Sequence, residues 1–95
     1  MVVGILRLDL LIQASHSLKD KRSVVRSLVA MIQNQFHASA AEVGQLDLWN
    51  RAEIGIAVVS GSAPVAERLL QQIEDKVALD AEAEILAVDR EVIHI

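Results

Sequence analysis

The 95-residue sequence contains no cysteine and no tyrosine, and only one tryptophan and one phenylalanine. Without cysteine there is no disulfide framework, no thiolate zinc site, no iron–sulfur cluster and no cysteine nucleophile. The longest charge-free stretch, 27–41, includes several polar residues and falls short of the ~20 apolar residues that span a bilayer. No basic segment followed by an apolar one opens the chain. These absences predict a soluble, cytoplasmic protein without membrane contact.

The composition is that of one globular domain. Hydrophobic residues make up 53% of the chain and charged residues 23%, which excludes a disordered chain, and the length fits a single domain over 1–95. The net charge of −4 is unevenly distributed: residues 1–50 carry five Lys/Arg against four Asp/Glu, and residues 51–95 carry four against nine. Proteins with broad phosphate-binding surfaces are usually basic overall. Any nucleic-acid contact must therefore be local.

Hydrophobic periodicity divides the chain into six segments. Alternation with a period of two predicts strands, and apolar residues three and four apart predict amphipathic helices. The segments are a strand over 2–13, a helix over 17–37, a strand over 38–43, a strand over 51–60, a helix from about 63 to 80 and a strand over 82–95. Within the last strand, the charged group 89–91 is a possible point of division.

The order β-α-β-β-α-β predicts the fold. Each β-α-β unit takes a right-handed crossover, which brings both helices to the same face of the sheet. We therefore expect an α+β, ferredoxin-like sandwich: a four-stranded antiparallel sheet with two helices on one face.

A basic cluster is the clearest candidate site. Four cations lie in the first turns of the predicted first helix: Lys19, Lys21, Arg22 and Arg26. Cations at a helix N-terminus oppose the helix dipole by ~0.3–1 kcal/mol each, and a bound anion such as a phosphate would remove that conflict. The alternative is neutralisation by nearby carboxylates: Asp9, Asp20, Glu42 or Asp47. The sequence leaves both interpretations open.

A second candidate surface consists of Glu42, Asp47, Trp49 and Arg51. A carboxylate pair can do acid–base work, and Trp49 can stack on a base or ring. The structural alternative places Trp49 at the edge of the core and pairs Arg51 with one of the acids. We favour the structural alternative.

Other chemistry has little support in the sequence. There is no phosphate-binding glycine loop, no zinc-ligand spacing and no nucleophile elbow. His16, His37 and His94 fall in different predicted elements, so we interpret them as surface residues. We expect no catalytic residues, no metal and no cofactor.

Several short motifs together resemble a known family. The strand start at 4–7, the helix opening SLKDKR at 17–22, the segments AEV at 41–43 and DLW at 47–49, and the strand end AVVS at 57–60 are similar to the YlxP-like family of small bacterial proteins, a domain of unknown function. The resemblance implies a ferredoxin-like fold and brings no catalytic residues. Its members are often encoded near translation and ribosome-maturation genes, which suggests an RNA-related role by association.

Two functions follow as hypotheses. The first is a non-enzymatic accessory protein that contacts RNA or a ribosomal partner through the basic helix start. The second is a small ligand-binding or regulatory module with its site at a homodimer interface. We expect a homodimer because the sheet face opposite the helices is unusually apolar: it carries Val3, Ile5, Leu11, Ala57 and Val59. The alternative is a monomer in which the apolar C-terminal segment, 92–95, covers this face in its own chain.

Overall fold

The computed structural model describes all 95 residues and contains six elements. They are β1 (Val2–Ile12), α1 (Leu18–Phe36), β2 (Ser39–Gly44), β3 (Arg51–Ser60), α2 (Ala63–Ala78) and β4 (Ala83–His94). The predicted segments match these bounds to within a few residues. Helix α1 ends at Phe36 because the next residue, His37, takes a left-handed conformation with φ 51°, which an α-helix cannot continue.

The strands form one antiparallel sheet in the order β2-β3-β1-β4. Strand β1 lies in the centre, paired with β3 on one side and β4 on the other. Both helices pack on the same face, where the even-numbered residues of β1 from Val2 to Ile12 are buried. The ferredoxin-like α+β prediction is therefore confirmed.

The core is built from matching stripes on the two helices. Helix α1 buries Lys21, Val25, Leu28 and Ile32, and helix α2 buries Ala66, Leu70, Ile73 and Val77. Both stripes have the 4-3-4 spacing that keeps residues on one side of an α-helix. They cover the buried side chains of β1 and of β3, where Ala52, Ile54, Ile56 and Val58 face the helices. A single core of 19 hydrophobic residues results.

Strand β4 is continuous through the charged group 89–91, so the possible division of this segment does not occur. The charges find partners on both sides of the sheet. Arg90 reaches the helix face, where its Nη2 lies 2.9 Å from Glu74 Oε1, and Asp89 reaches the opposite face, where its Oδ2 lies 2.8 Å from Arg7 Nη2. The pairing of β4 with β1 is interrupted by one bulge, at Leu86, which has no partner in β1.

The face of the sheet without helices, called here the open face, has an apolar half and a charged half. The apolar half consists of Val3, Ile5, Ala57, Val59 and Ile93. In the charged half, Arg7 pairs with Asp89, and Arg51 Nη2 lies 3.0 Å from Asp9 Oδ2. Neither helix combines the length and hydropathy that crossing a bilayer requires.

Candidate functional site

Helix α1 begins with a reciprocal cap. The Ser17 Oγ accepts a hydrogen bond from the Asp20 backbone N–H at 3.1 Å, and an Asp20 carboxylate oxygen accepts one from the His16 N–H at 3.2 Å. The arrangement resembles a capping box, with Asp in place of the usual Glu and with the bond returned one residue earlier in the chain. It fixes the start of α1, the helix that carries the basic side chains.

Lys21 separates from the other three cations because its side chain points into the protein. It is fully buried, and its Nζ lies 2.8 Å from Glu42 Oε2 and 3.2 Å from the carbonyl oxygens of Gln45 and Leu46. A lysine ammonium has three donors, and these contacts use all of them. For Lys21, neutralisation by a local carboxylate is therefore the correct interpretation, and this residue has no donor for an external anion. Its place in the 21-25-28-32 stripe was the sequence signal for burial.

The remaining cations, Lys19, Arg22 and Arg26, form what we call the cationic stripe. All three side chains are exposed, and the five ion pairs of the structure involve other cations: Arg7, Lys21, Arg51 and Arg90. Spacings of three and four residues place them along one side of α1. The only acidic residue of α1 is Asp20, so the stripe is an exposed positive surface without a carboxylate partner.

The second predicted surface is not assembled as a unit. Glu42 faces α1 and pairs with Lys21, whereas Arg51 lies on the open face and pairs with Asp9. The pairing of Arg51 with an acid follows the structural alternative, although the partner is not Glu42 or Asp47. Trp49 and Asp47 remain exposed in the loop between β2 and β3. Trp49 is 49% exposed and so does not close the core.

This loop, residues 45–50, is fastened at several points although its apolar side chains are exposed. The Lys21 ammonium binds its first two carbonyls, and the Gln45 side-chain amide donates to Asp9 at 3.0 Å. At the other end, the Ile12 N–H donates to the Asn50 carbonyl at 2.8 Å. The exposed apolar residues are Leu46, Leu48 and Trp49. Because its backbone is held, the loop presents these side chains in a defined position.

A shallow depression of about 250 Å³ lies beside Trp49 at the end of the sheet where α1 begins. We call it the Trp49 depression. Its lining residues are Leu11, Ile12, Gln13, Ser15, His16, Trp49 and Asn50. The Ser15 hydroxyl is buried and lies against the carbonyl oxygens of Ser17 and Trp49, joining the loop to the start of α1. Within this set the sequence predicts a possible stacking role for Trp49 alone, because the residues come together only when β1 pairs with β3.

The three histidines do not form a common site: His16 lies before α1, His37 caps its end and His94 ends β4. The structure brings together no group of three or more histidine or carboxylate side chains that could hold a metal ion.

The fold and the cationic stripe define a small ferredoxin-like α+β protein with one positively charged helix. Residues 3–90 match the family model described as "Protein of unknown function (DUF503)", and the chain belongs to that family. It is 36% identical over 72 residues to the uncharacterized protein YlxP of Bacillus subtilis (strain 168). The alignment covers 76% of this chain and 78% of that protein. The YlxP-like resemblance is therefore confirmed.

A solved structure supports the fold independently. The solution NMR structure of a de novo designed protein with a ferredoxin fold matches with a TM-score of 0.54 at 13% identity. The match covers 100% of this chain and 88% of the designed one. At this identity the likeness shows the fold alone.

Proposed function

We propose that this DUF503 protein is a non-enzymatic accessory protein that binds RNA, free or within a ribosome-associated particle, through the cationic stripe. The observation that carries the proposal is that Lys19, Arg22 and Arg26 are exposed and unpaired, in a protein whose net charge is −4. Four other cations of the chain are neutralised by carboxylates. An exposed row of cations therefore supports an interaction with an anionic partner.

The position of the stripe favours phosphate groups as that partner. Lys19 and Arg22 lie in the first turns of α1, where they oppose the helix dipole. Phosphate oxygens at the same place reduce this repulsion and accept charge-assisted hydrogen bonds from Lys and Arg. Between Lys19 and Arg26 the helix rises by about 10 Å, so the stripe contacts only a few phosphates. We expect modest affinity that depends strongly on salt.

The open face argues against one familiar way of binding RNA. An RRM stacks bases on aromatic side chains in the central strands of its sheet, and β1 and β3 contain no Phe, Tyr or Trp. In this protein the sheet supplies no stacking platform. The proposed RNA surface is the outer side of α1.

A charge-reversal experiment tests the proposal. Filter binding of a single-stranded RNA oligonucleotide at about 50 mM and about 200 mM salt compares the wild type with Arg22→Glu/Arg26→Glu. The matched control is Arg68→Glu/Lys76→Glu, which makes the same change of charge at exposed positions of α2. We expect the α1 variant to bind at least about tenfold more weakly, and the control to bind nearly as the wild type does. No binding by the wild type at low salt, or equal losses in both variants, overturns the proposal.

A second candidate is a ligand-binding or regulatory module formed by a homodimer, and the open face favours it. Antiparallel sheets that leave one face in water usually make that face polar, yet Val59 is 69% exposed here and Ile5 and Ile93 are each 36% exposed. A depression of about 280 Å³ on the same face is lined by Ile5, Arg7, Asp89 and Glu91. Two copies related by a two-fold axis would cover the apolar half and enclose this depression.

Sedimentation equilibrium at micromolar concentration tests the dimer. The monomer mass is 10.4 kDa, and we expect a mass near twice that value for the wild type. Val59→Glu places a charge in the apolar half and should restore the monomer, whereas Val65→Glu, at an exposed position of α2, should leave the dimer intact. A wild-type mass that stays at the monomer value rejects this candidate.

A further inference from the structure

We propose that the Trp49 depression receives one unstacked base of the same RNA strand whose phosphates contact the cationic stripe. The inference rests on the proposed RNA-binding function and deepens it, because it makes single-stranded RNA the preferred ligand. A base held in this depression must be free of its partner strand. The inference is carried by the exposure of Trp49, by the polar groups around it and by its distance from the stripe.

Trp49 is placed as a stacking platform. Indole rings are largely buried in most proteins because they contribute a large apolar area, but this ring is 49% exposed. Its loop is held by the Lys21 ammonium, by the Ser15 hydroxyl and by the Ile12 N–H. A ring on a fixed loop loses little conformational entropy when a ligand stacks on it. Base–aromatic stacking of this kind is tolerant of sequence.

The lining of the depression suits a base better than a purely apolar ligand. Leu11 and Ile12 provide apolar surface beside the indole, and Gln13, His16 and Asn50 provide hydrogen-bonding groups. Amide and imidazole groups both donate and accept, which matches the polar edges of a nucleobase around its apolar ring faces. The volume of about 250 Å³ lies below the range of drug-sized pockets. It is suited to a small planar ring.

The depression is within reach of the stripe along a single strand. His16 lines the depression and precedes Lys19 by three residues, so their Cα atoms are at most about 11 Å apart. Arg22 follows Lys19 by one turn of α1. From the other side, the Lys21 ammonium binds the carbonyl of Leu46, three residues before Trp49. One short strand can therefore place phosphates on α1 and a neighbouring base on Trp49.

The fluorescence of Trp49, the only tryptophan of the chain, reports this contact directly. The wild-type protein is titrated at low salt with three ligands of equal length: a single-stranded RNA, an abasic strand and a duplex. We expect the single strand to quench or shift the emission, and the abasic strand and the duplex to bind without that change. Anisotropy of a label on each ligand measures binding separately from the tryptophan signal.

Variants complete the test. Trp49→Leu should bind the single strand about 5- to 150-fold more weakly and the abasic strand as the wild type does. Trp49→Phe retains a smaller stacking surface and should recover part of the loss. The matched control is Leu48→Ala. Leu48 belongs to the same loop and is equally exposed, but its side chain does not line the depression. Circular dichroism establishes that each variant is folded.

The outcomes separate this inference from the proposed function. If the single strand and the abasic strand bind equally well and Trp49 emission does not change, the base site is wrong and the cationic stripe alone binds RNA. Equal losses in Trp49→Leu and Leu48→Ala also overturn the base site. If neither strand binds the wild type at low salt, the RNA-binding function fails and the base site fails with it.

Discussion

The two helices cover the same face of the sheet with the same spacing of buried residues, yet they differ at one position. Each follows a serine N-cap, Ser17 or Ser62, and each has its first buried residue four positions later. In α2 that residue is Ala66, and in α1 it is Lys21. Helix α2 only packs at this point, whereas α1 places a cation in the core that fastens the loop 45–50. The comparison indicates that α1, besides packing on the sheet, positions the loop 45–50.

The outer surfaces of the helices also differ, in their charge. With the buried Lys21 left out, helix α1 exposes three cations and one acid, a balance of +2, and α2 carries two cations and three acids, a balance of −1. One of the α2 acids, Glu74, forms an ion pair within the fold, with Arg90 of β4. The cations of the stripe have no such partner. Charge reversal on α1 should therefore weaken RNA binding, and charge reversal on α2 should not.

The largest effect is expected from removing the buried cation. Lys21→Met keeps most of the side-chain volume but leaves Glu42, whose side chain is 15% exposed, and two loop carbonyls without their donor. Removing one partner of a buried ion pair costs ~3–5 kcal/mol, and we expect a loss in that range in urea denaturation. The control, Lys19→Met, makes the same change at an exposed position and should alter the free energy of unfolding by less than ~0.5 kcal/mol.

A cycle with Glu42→Gln separates the ion pair from the carbonyl contacts. If the pair dominates, the double variant is much less destabilised than the sum of the single variants. A loss below ~1 kcal/mol in Lys21→Met would contradict the assigned role of Lys21 in fastening the loop.

The next effect concerns the positions at which the helices are equivalent. Leu28 and Ile73 occupy the same place in the two stripes and are 2% and 0% exposed. Truncation of such buried side chains costs ~2–5 kcal/mol. We expect Leu28→Ala and Ile73→Ala each to lower the free energy of unfolding by an amount in this range. A loss below ~1 kcal/mol for either variant would show that its helix does not pack as the structure describes.

Smaller effects are expected from the two N-caps. The Ser17 Oγ accepts from the Asp20 N–H at 3.1 Å, whereas the Ser62 Oγ accepts from the Val65 N–H at 3.5 Å. Loss of a serine cap typically costs ~1 kcal/mol. We expect about that loss for Ser17→Ala and a smaller loss for Ser62→Ala, measured by thermal or urea denaturation. The reverse order would mean that the shorter bond from the Asp20 N–H to Ser17 does not make the stronger cap.

The fold could be predicted from the sequence because its signals are local and agree with one another. Alternation in β1 and β3 and the helical stripes fixed the elements, and their order fixed the topology. The errors occur where partners distant in sequence decide. To exclude a division of β4 at 89–91, one must know that Asp89 pairs with Arg7 and that Arg90 pairs with Glu74.

The candidate site was less predictable for the same reason. Lys21 stands among exposed cations, and the sequence alone does not show whether its charge or its position in phase with Val25 and Leu28 decides its burial. Its burial depends on Glu42 and on two backbone carbonyls of a loop more than twenty residues away. The Trp49 depression likewise exists only because Gln13 and Asn50 are brought together where β1 pairs with β3. Sequence patterns identify such residues one at a time and do not show which of them meet.

The smallest effect sharpens the comparison of the outer helix surfaces. For single strands, each phosphate contact contributes about 0.7 to the slope of log binding constant against log salt concentration. Arg22→Gln removes one cation of the stripe and should make the slope shallower by about that amount, whereas Arg68→Gln on α2 should leave it unchanged. Both side chains are exposed, so neither change should alter stability by more than ~0.5 kcal/mol. Anisotropy titrations with a single-stranded RNA at several salt concentrations give both slopes. Equal slopes for the two variants would mean that the excess charge of α1 does not direct the contact with RNA.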